Sequence, residues 1–267
     1  MLNPKKIIVA LYKAGENTVN HDGIEHAGYL AFLGLLAFFP LLVFIVALAG
    51  FVGEGQAGVK FVSLIFYQLP PDMSAALKPR IAEIISGPPQ GLLTLSIFGA
   101  IWTSSSALDG YRNVLNRAYS VKNTPSYLFR RLVSVIQILF LSSAAIAAML
   151  ALVVMPIYLH SVERTTITYI SVTIIFVVIS SAYYFLPNTK QNISSVVVGA
   201  MLVTALWLTA TRVLSFYFSR FDQVNLIYGS LGGIIATLLF FYINNIIFIY
   251  GAELNYIIKQ GLKQVRQ

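Results

Sequence analysis

Charge is almost absent from six stretches of this chain, and no other property of the sequence restricts its fold so strongly. Residues 28–52, 92–107, 132–159, 165–186, 193–218 and 226–258 together hold 150 of the 267 positions and contain two charges, Arg212 and Glu253. The remaining 117 residues carry the other 26 charges, about 22%, close to the roughly 25% of soluble domains. About 20 apolar residues of helix cross the hydrocarbon core of a bilayer. Backbone in that core must satisfy its own hydrogen bonds, so apolar stretches of this length read as spanning helices. The expected fold class is all-α: a polytopic membrane protein, a six-transmembrane-helix bundle, forming one membrane domain over residues 1–267. With 57% hydrophobic and 10% charged residues, the chain is excluded from the disordered, nucleic-acid-binding and ordinary water-soluble enzyme classes.

Four of the six stretches are comfortably long enough. The second, 92–107, has 16 strictly apolar residues and must borrow from Gln90-Gly91 and Leu108. The sixth, 226–258, would be about 50 Å long as a helix, so it must tilt, break or emerge from the membrane. Lysine and arginine fix the orientation. The connections on one side hold 12, among them Lys5, Lys6, Arg112, Arg117, Arg130, Arg131 and Lys259, against 5 on the other. By the positive-inside rule both termini are cytoplasmic. That bias also accounts for the net charge of +8 without a nucleic-acid partner.

Two further helices are expected at the membrane surface. Ile7, Ile8, Leu11 and Tyr12 recur at helical spacing opposite Lys5, Lys6 and Lys13, which predicts a short amphipathic helix over 4–15. Charges at Lys13 and Glu16 interrupt its apolar run, so it does not read as a signal peptide. In the long outer connection, Leu69, Met73, Leu77, Ile81 and Ile84 follow Pro70-Pro71-Asp72. A proline and an acid suit a helix start, and 71–86 reads as an outer amphipathic helix.

Few residues offer chemistry. There is no cysteine. His21 and His26 precede the first stretch while His160 lies across the membrane, so the three cannot share a metal. Glu16, Asp22, Glu25 and His26 form the one local concentration of ligating side chains, and at a membrane-surface helix end they read as solvated. No paired acids, nucleophile elbow or phosphate loop occurs. The expectation is no catalytic residue, no metal and no cofactor.

The in-span charges carry more weight, because an ionisable group in a bilayer is costly. Arg212 lies six residues from the outer end of its stretch, about 9 Å below the boundary, within reach of a snorkelling guanidinium. It reads either as an interface anchor or as an anion site with Tyr217 and Arg220. Glu253 lies near the cytoplasmic end of the last stretch, with Arg112 or Arg117 as its expected partner. Asn244 and Asn245 cannot both face one point, so at least one meets a neighbouring helix or a cavity. Thr103-Ser104-Ser105-Ser106 suits close helix packing. Pro40 is expected to kink the first span, and Gly229 and Gly233 form a small-residue packing face.

Three blocks carry a family resemblance. They are Ala27-Gly-Tyr-Leu-Ala-Phe-Leu-Gly-Leu-Leu-Ala-Phe-Phe-Pro40, Ile101-Trp-Thr-Ser-Ser-Ser-Ala-Leu-Asp-Gly-Tyr-Arg-Asn-Val-Leu-Asn116, and Tyr228-Gly-Ser-Leu-Gly-Gly with Gly251-Ala-Glu253-Leu-Asn255. On these the chain resembles the YihY/BrkB family of bacterial inner-membrane proteins, once labelled ribonuclease BN. The resemblance implies six membrane helices with cytoplasmic ends and an association with envelope integrity, virulence and lipid or precursor export. The ribonuclease label does not fit a chain without a metal-holding cluster.

The reading at this level is an inner-membrane protein that transports or handles an anionic amphiphilic envelope lipid or lipid-linked precursor. Its partners would be membrane lipids and that precursor, with self-association left open. Arg212, Arg220 and Tyr217 would hold the headgroup. Asn244 and Asn245 would line a polar path, and Glu253 with Arg112 or Arg117 would gate its inner end. A non-transporting scaffold for envelope biogenesis is the alternative.

Overall fold

The computed structural model describes residues 4–52, 90–158, 164–219 and 231–264. All regular structure among them is α-helical: α1 (Pro4–Asn20), α2 (Gly23–Val52), α3 (Gln90–Ala118), α4 (Tyr127–Tyr158), α5 (Arg164–Phe185), α6 (Ile193–Ser219) and α7 (Leu231–Gln264). Each of the six apolar stretches coincides with one helix from α2 to α7. Among the described residues two segments are long and apolar enough to cross a membrane by length and composition, Ile193–Leu214 in α6 and Ile235–Gly261 in α7. Gly23–Phe38 and Tyr169–Phe185 are shorter apolar helices. The expected outer helix at 71–86, Gly229 and Arg220 lie outside the described residues.

Local chemistry sets the helix ends. α1 runs five residues beyond its expected limit, since the Thr18 hydroxyl donates to the Ala14 carbonyl at 2.7 Å and so satisfies itself inside the helix. The chain then turns at Asp22, whose φ of 55° is a left-handed conformation that aspartate tolerates. α3 extends eleven residues past the end of its apolar stretch, so the Asp109–Asn116 block is helix and not connecting loop. It closes with a Schellman turn: Val121 N–H donates to Asn116 O at 2.8 Å and Ser120 N–H to Arg117 O at 2.9 Å, with Ser120 left-handed at φ 52°. Pro187 follows the end of α5, where a residue without an N–H cannot continue the ladder. α2 continues through Pro40.

The chain groups into two compact units. One is drawn from residues 1–34, 109–126 and 168–267, the other from 35–108 and 127–167. In the first, α7 packs against α1 and α6. Ala14 of α1 meets Leu254 and Ile258 of α7, and Ala27, Leu30, Val114 and Ile249 bring α2, α3 and α7 together. The α6–α7 approach is close enough to exclude side chains. A Cβ on Gly199 would collide with the Asn255 amide, and one on Gly251 with Val203 and the Tyr183 hydroxyl. Small residues at such seams are how helices associate where lipid removes the hydrophobic drive between them.

The docking of α1 departs from a purely surface role. Ala14 faces α7 and is buried, as is Thr18, whereas Ile7, Ile8, Tyr12 and Val19 remain exposed. The helix thus has two apolar surfaces, one spent on protein and one left open. In the second unit Ser104 and Ser105 are buried, and the Thr103, Ser105 and Ser106 hydroxyls turn back to carbonyls one turn earlier. The Arg131 guanidinium lies 4.1 Å over the Trp102 ring and donates to the Trp102 carbonyl at 2.8 Å.

Candidate functional site

The block after the second stretch builds a polar cluster within the first unit. Asp109, Arg112, Asn113 and Asn116 fall at i, i+3, i+4 and i+7, one face of α3. Arg112 is 2% exposed. Its Nη1 donates to Asp109 Oδ1 at 3.1 Å and its Nε to the Leu186 carbonyl at 3.2 Å. Asn116 exchanges two bonds with Asn188: its Nδ2 donates to Asn188 Oδ1 at 2.8 Å, and its Oδ1 accepts the Asn188 N–H at 2.7 Å. These bonds tie α3 to the turn after α5. A buried ion pair gains over its desolvation only when further hydrogen bonds complete it, and here they do.

Glu253 sits in a second cluster, and its partners correct the expectation. It is fully buried on α7. His21 Nδ1 lies 2.8 Å from its Oε1, and Asn17 Nδ2 donates to Oε2 at 3.3 Å. The expected partners are engaged elsewhere, Arg112 with Asp109 and Arg117 with Asp22 in an exposed pair. The physical reason is the docking of α1, which delivers its C-terminal turn directly onto α7. Two residues on, Asn255 Oδ1 accepts the Gly199 N–H at 3.1 Å and Asn255 Nδ2 donates to the Tyr119 hydroxyl at 3.4 Å. The Gly-Ala-Glu-Leu-Asn ending is therefore a helix-joining motif: glycine admits α6, glutamate holds α1 and asparagine caps the contact from both sides.

The third feature is an open recess of about 380 Å³ lined by α5, α6 and α7, with Tyr111 of α3. Such a volume lies within the range of small-molecule sites. Val178, Ile179, Trp207 and Phe241 give its wall an apolar character, and its polar lining is Tyr111, Asn244 and Asn245. Asn245 is 3% exposed. Its Oδ1 accepts the Tyr111 hydroxyl at 2.7 Å, while its Nδ2 is buried without a partner among the described residues. Asn244 Nδ2 donates to the Phe240 carbonyl at 2.7 Å, and its Oδ1 is likewise buried and unpaired among the described residues. The expected contact of one asparagine with a neighbouring helix is thus Asn245 with α3, and both asparagines border a cavity.

The other candidates do not converge on it. Arg212 is exposed on α6 and makes no hydrogen bond or ion pair among the described residues. It lies five residues beyond Trp207, about 140° around the helix at 3.6 residues per turn, and is not part of the recess lining. The backbone of Tyr217 continues α6. Gly233 lies in the first turn of α7. Among the described residues no group of three ligating side chains could hold a metal. Of the amino-terminal group, Asp22 pairs with Arg117 and His26 is half-buried. Burial and the Arg117 guanidinium hold the His26 imidazole below its ordinary value, which favours the neutral form. Sequence reasoning missed Asn17, His21 and Trp207. The first two stand in a polar stretch that reads as solvated, and no spacing in the sequence marks Trp207.

Comparison with known proteins agrees with the membrane character. The family model described as "Virulence factor BrkB" matches residues 14–267. A putative ribonuclease-like protein, YfkH, of Bacillus subtilis is 26% identical over 260 residues, covering 91% of this chain and 92% of that protein. A UPF0761 membrane protein of Pseudoalteromonas atlantica is 26% identical over 257 residues, covering 90% and 84%. The UPF0761 membrane protein VV0203 of Vibrio vulnificus is 27% identical over 248 residues, covering 88% and 78%. No solved structure matches. The match over nearly the whole chain, the apolar helices α6 and α7, and the three blocks that build the helix contacts lead to one conclusion: the chain is a membrane protein of the BrkB family.

Proposed function

We propose that this protein is a six-span bacterial inner-membrane protein, with both termini in the cytoplasm, that transports or handles an amphiphilic envelope lipid. The recess between α5, α6 and α7 is the observation that carries this reading. It is wide enough for part of a lipid chain, apolar along its wall and furnished with two amides that the fold leaves half-satisfied. Arg212 supports an anionic headgroup further out, because it is exposed and without a partner among the described residues. The proposal assigns no catalytic step. Asp22 and His21 of the amino-terminal turn serve structural pairs with Arg117 and Glu253.

The test is translocation of fluorescent anionic and zwitterionic lipids across vesicles carrying the purified protein. Ile179→Trp, which fills the recess, should abolish transfer of both lipids. Arg212→Ala should slow the anionic lipid at least severalfold and leave the zwitterionic one unchanged. Transfer equal to that of protein-free vesicles would contradict transport. The topology is open to a direct check, since the native chain has no cysteine. A single Gln264→Cys should react with an impermeant maleimide only after the cells are permeabilised.

A non-transporting scaffold is the second reading. The observation that favours it is Arg212 itself, which stands outside the recess as an interface anchor would. Under that reading the Ile179→Trp protein keeps its partners and its cellular phenotype.

A further inference from the structure

We propose that the recess opens toward the outer half of the bilayer and that Tyr183 is the gate closing it toward the cytoplasm. This rests on the lipid-handling reading and the proposed orientation, and adds to them a side of access and a gating residue. The argument begins with packing along the three helices that form the recess. Gly199 of α6 approaches Asn255 of α7, and Val203 approaches Gly251, so the two helices run antiparallel. At this end α6 buries six of the ten residues 195–204, α7 buries all of 251–255, and α5 buries Tyr183, Leu186 and Pro187. Toward the other end the same helices bury nothing: no residue of 169–182 on α5, 205–213 on α6 or 235–244 on α7 is buried. Helices that pack along their whole length each bury one face. The recess is therefore a wedge between helices joined at one end. Its open end is the amino-terminal end of α5 and α7, which the lysine and arginine bias places away from the cytoplasm.

Tyr183 fills the point of the wedge. It is 0% exposed. Its ring stacks on Phe248 with centroids 4.7 Å apart and planes at 19°, and its hydroxyl donates to the Phe248 carbonyl at 2.6 Å. Tyr111 meets the same Phe248 edge-on at 5.5 Å. Tyr111 and Phe248 line the recess, which thus ends on an aromatic floor supplied by α3, α5 and α7. Beyond that floor the seam is closed, since a Cβ on Gly251 would strike both Val203 and the Tyr183 hydroxyl. The backbone after Tyr183 is tied down by Arg112 on the Leu186 carbonyl and by the two Asn116–Asn188 bonds. A chain passing from the recess to the inner half of the bilayer must displace the Tyr183 ring, held by one hydrogen bond and one stack.

Two readouts on the full-length protein test the proposal. In native membranes, a phosphatidylglycerol with a photoreactive chain is added to right-side-out or to inverted vesicles and irradiated at once on ice. The native protein should be labelled at Ile175 and Ile179 from the outer leaflet and far less from the inner. Equal labelling from both sides, or labelling from the inner side alone, would overturn the side of access. For the gate, translocation of a fluorescent phosphatidylglycerol is followed in vesicles that also hold an entrapped dye. Tyr183→Phe should raise the rate about fivefold, the factor that one buried hydrogen bond represents, with the dye retained. Tyr183→Leu, which loses the stack as well, should raise it further. Leu254→Ala, at a position equally buried on α7 but packed against α1, should keep the native rate. A native or slower rate in Tyr183→Phe, or the same acceleration in Leu254→Ala, would overturn the gate and leave lipid handling standing. Neither labelling nor translocation in any of these proteins would overturn both.

Discussion

Helix α7 carries two polar sites about two and a half turns apart, and they are treated in opposite ways. Near its C-terminal end, Glu253 receives bonds from His21 and Asn17, and Asn255 both accepts and donates. In its middle, Asn244 and Asn245 each keep one buried amide atom unpaired. Burial of polarity in a membrane is expensive in both places. Where the partners come from the same chain, the polar residue joins helices and its role ends in the fold. Where they do not, the fold tolerates a cost of about 1–3 kcal/mol for each buried atom left unpaired among the described residues. Under the proposed function the first site is structural and the second serves the recess, and substitutions should separate them.

The largest effect is expected at Arg112. Arg112→Leu removes the partner of a buried aspartate and the bond to the Leu186 carbonyl, and breaking such a pair costs about 3–5 kcal/mol. The detergent-solubilised protein should unfold at a markedly lower temperature, and an unshifted midpoint would show that the cluster is not structural. Next is Glu253→Leu, which leaves Asn17 and His21 without their acceptor at a cost of about 1–3 kcal/mol. Hydrogen exchange over residues 4–20 should rise while that of α6 stays unchanged; equal protection of α1 in both proteins would mean that Glu253 does not hold it. The smallest change belongs to Asp22→Ala. Its pair with Arg117 is exposed on both sides, and surface pairs contribute about 0–1 kcal/mol. A loss beyond that range would place Asp22 among the structural groups.

Sequence alone reached much of this and stopped at definable points. The helices were legible because apolar length is a local property, and wherever they are described α2 to α7 follow the six stretches to within about six residues, except at the end of α3. The asparagine pair was legible as a cavity or contact signal, because amides in lipid need a reason. The partner of Glu253 was not. His21 is 232 residues away in the chain, in a segment whose polarity matches solvated loop, and nothing local says that α1 folds back onto α7. The extent of α3 escaped for a similar reason: Asp109, Arg112 and Asn116 look like the end of a span by hydropathy, yet their spacing is that of one helix face. The recess escaped too, because three helices form it and only their packing decides which aliphatic residues line space and which fill it.

The most direct test is Asn244→Leu measured for folding and for lipid transfer on the same preparation. The side chain keeps its approximate volume, gives up the Nδ2 bond to a Phe240 carbonyl already within the helix, and loses an acceptor that no group among the described residues uses. Thermal stability should stay within about 1 kcal/mol of the native protein, or rise, because an unpaired buried atom is gone. Lipid transfer into or across vesicles should fall at least tenfold. A protein that unfolds early, or one that transfers lipid at the native rate, would contradict the assignment of the half-satisfied amides on α7 to function.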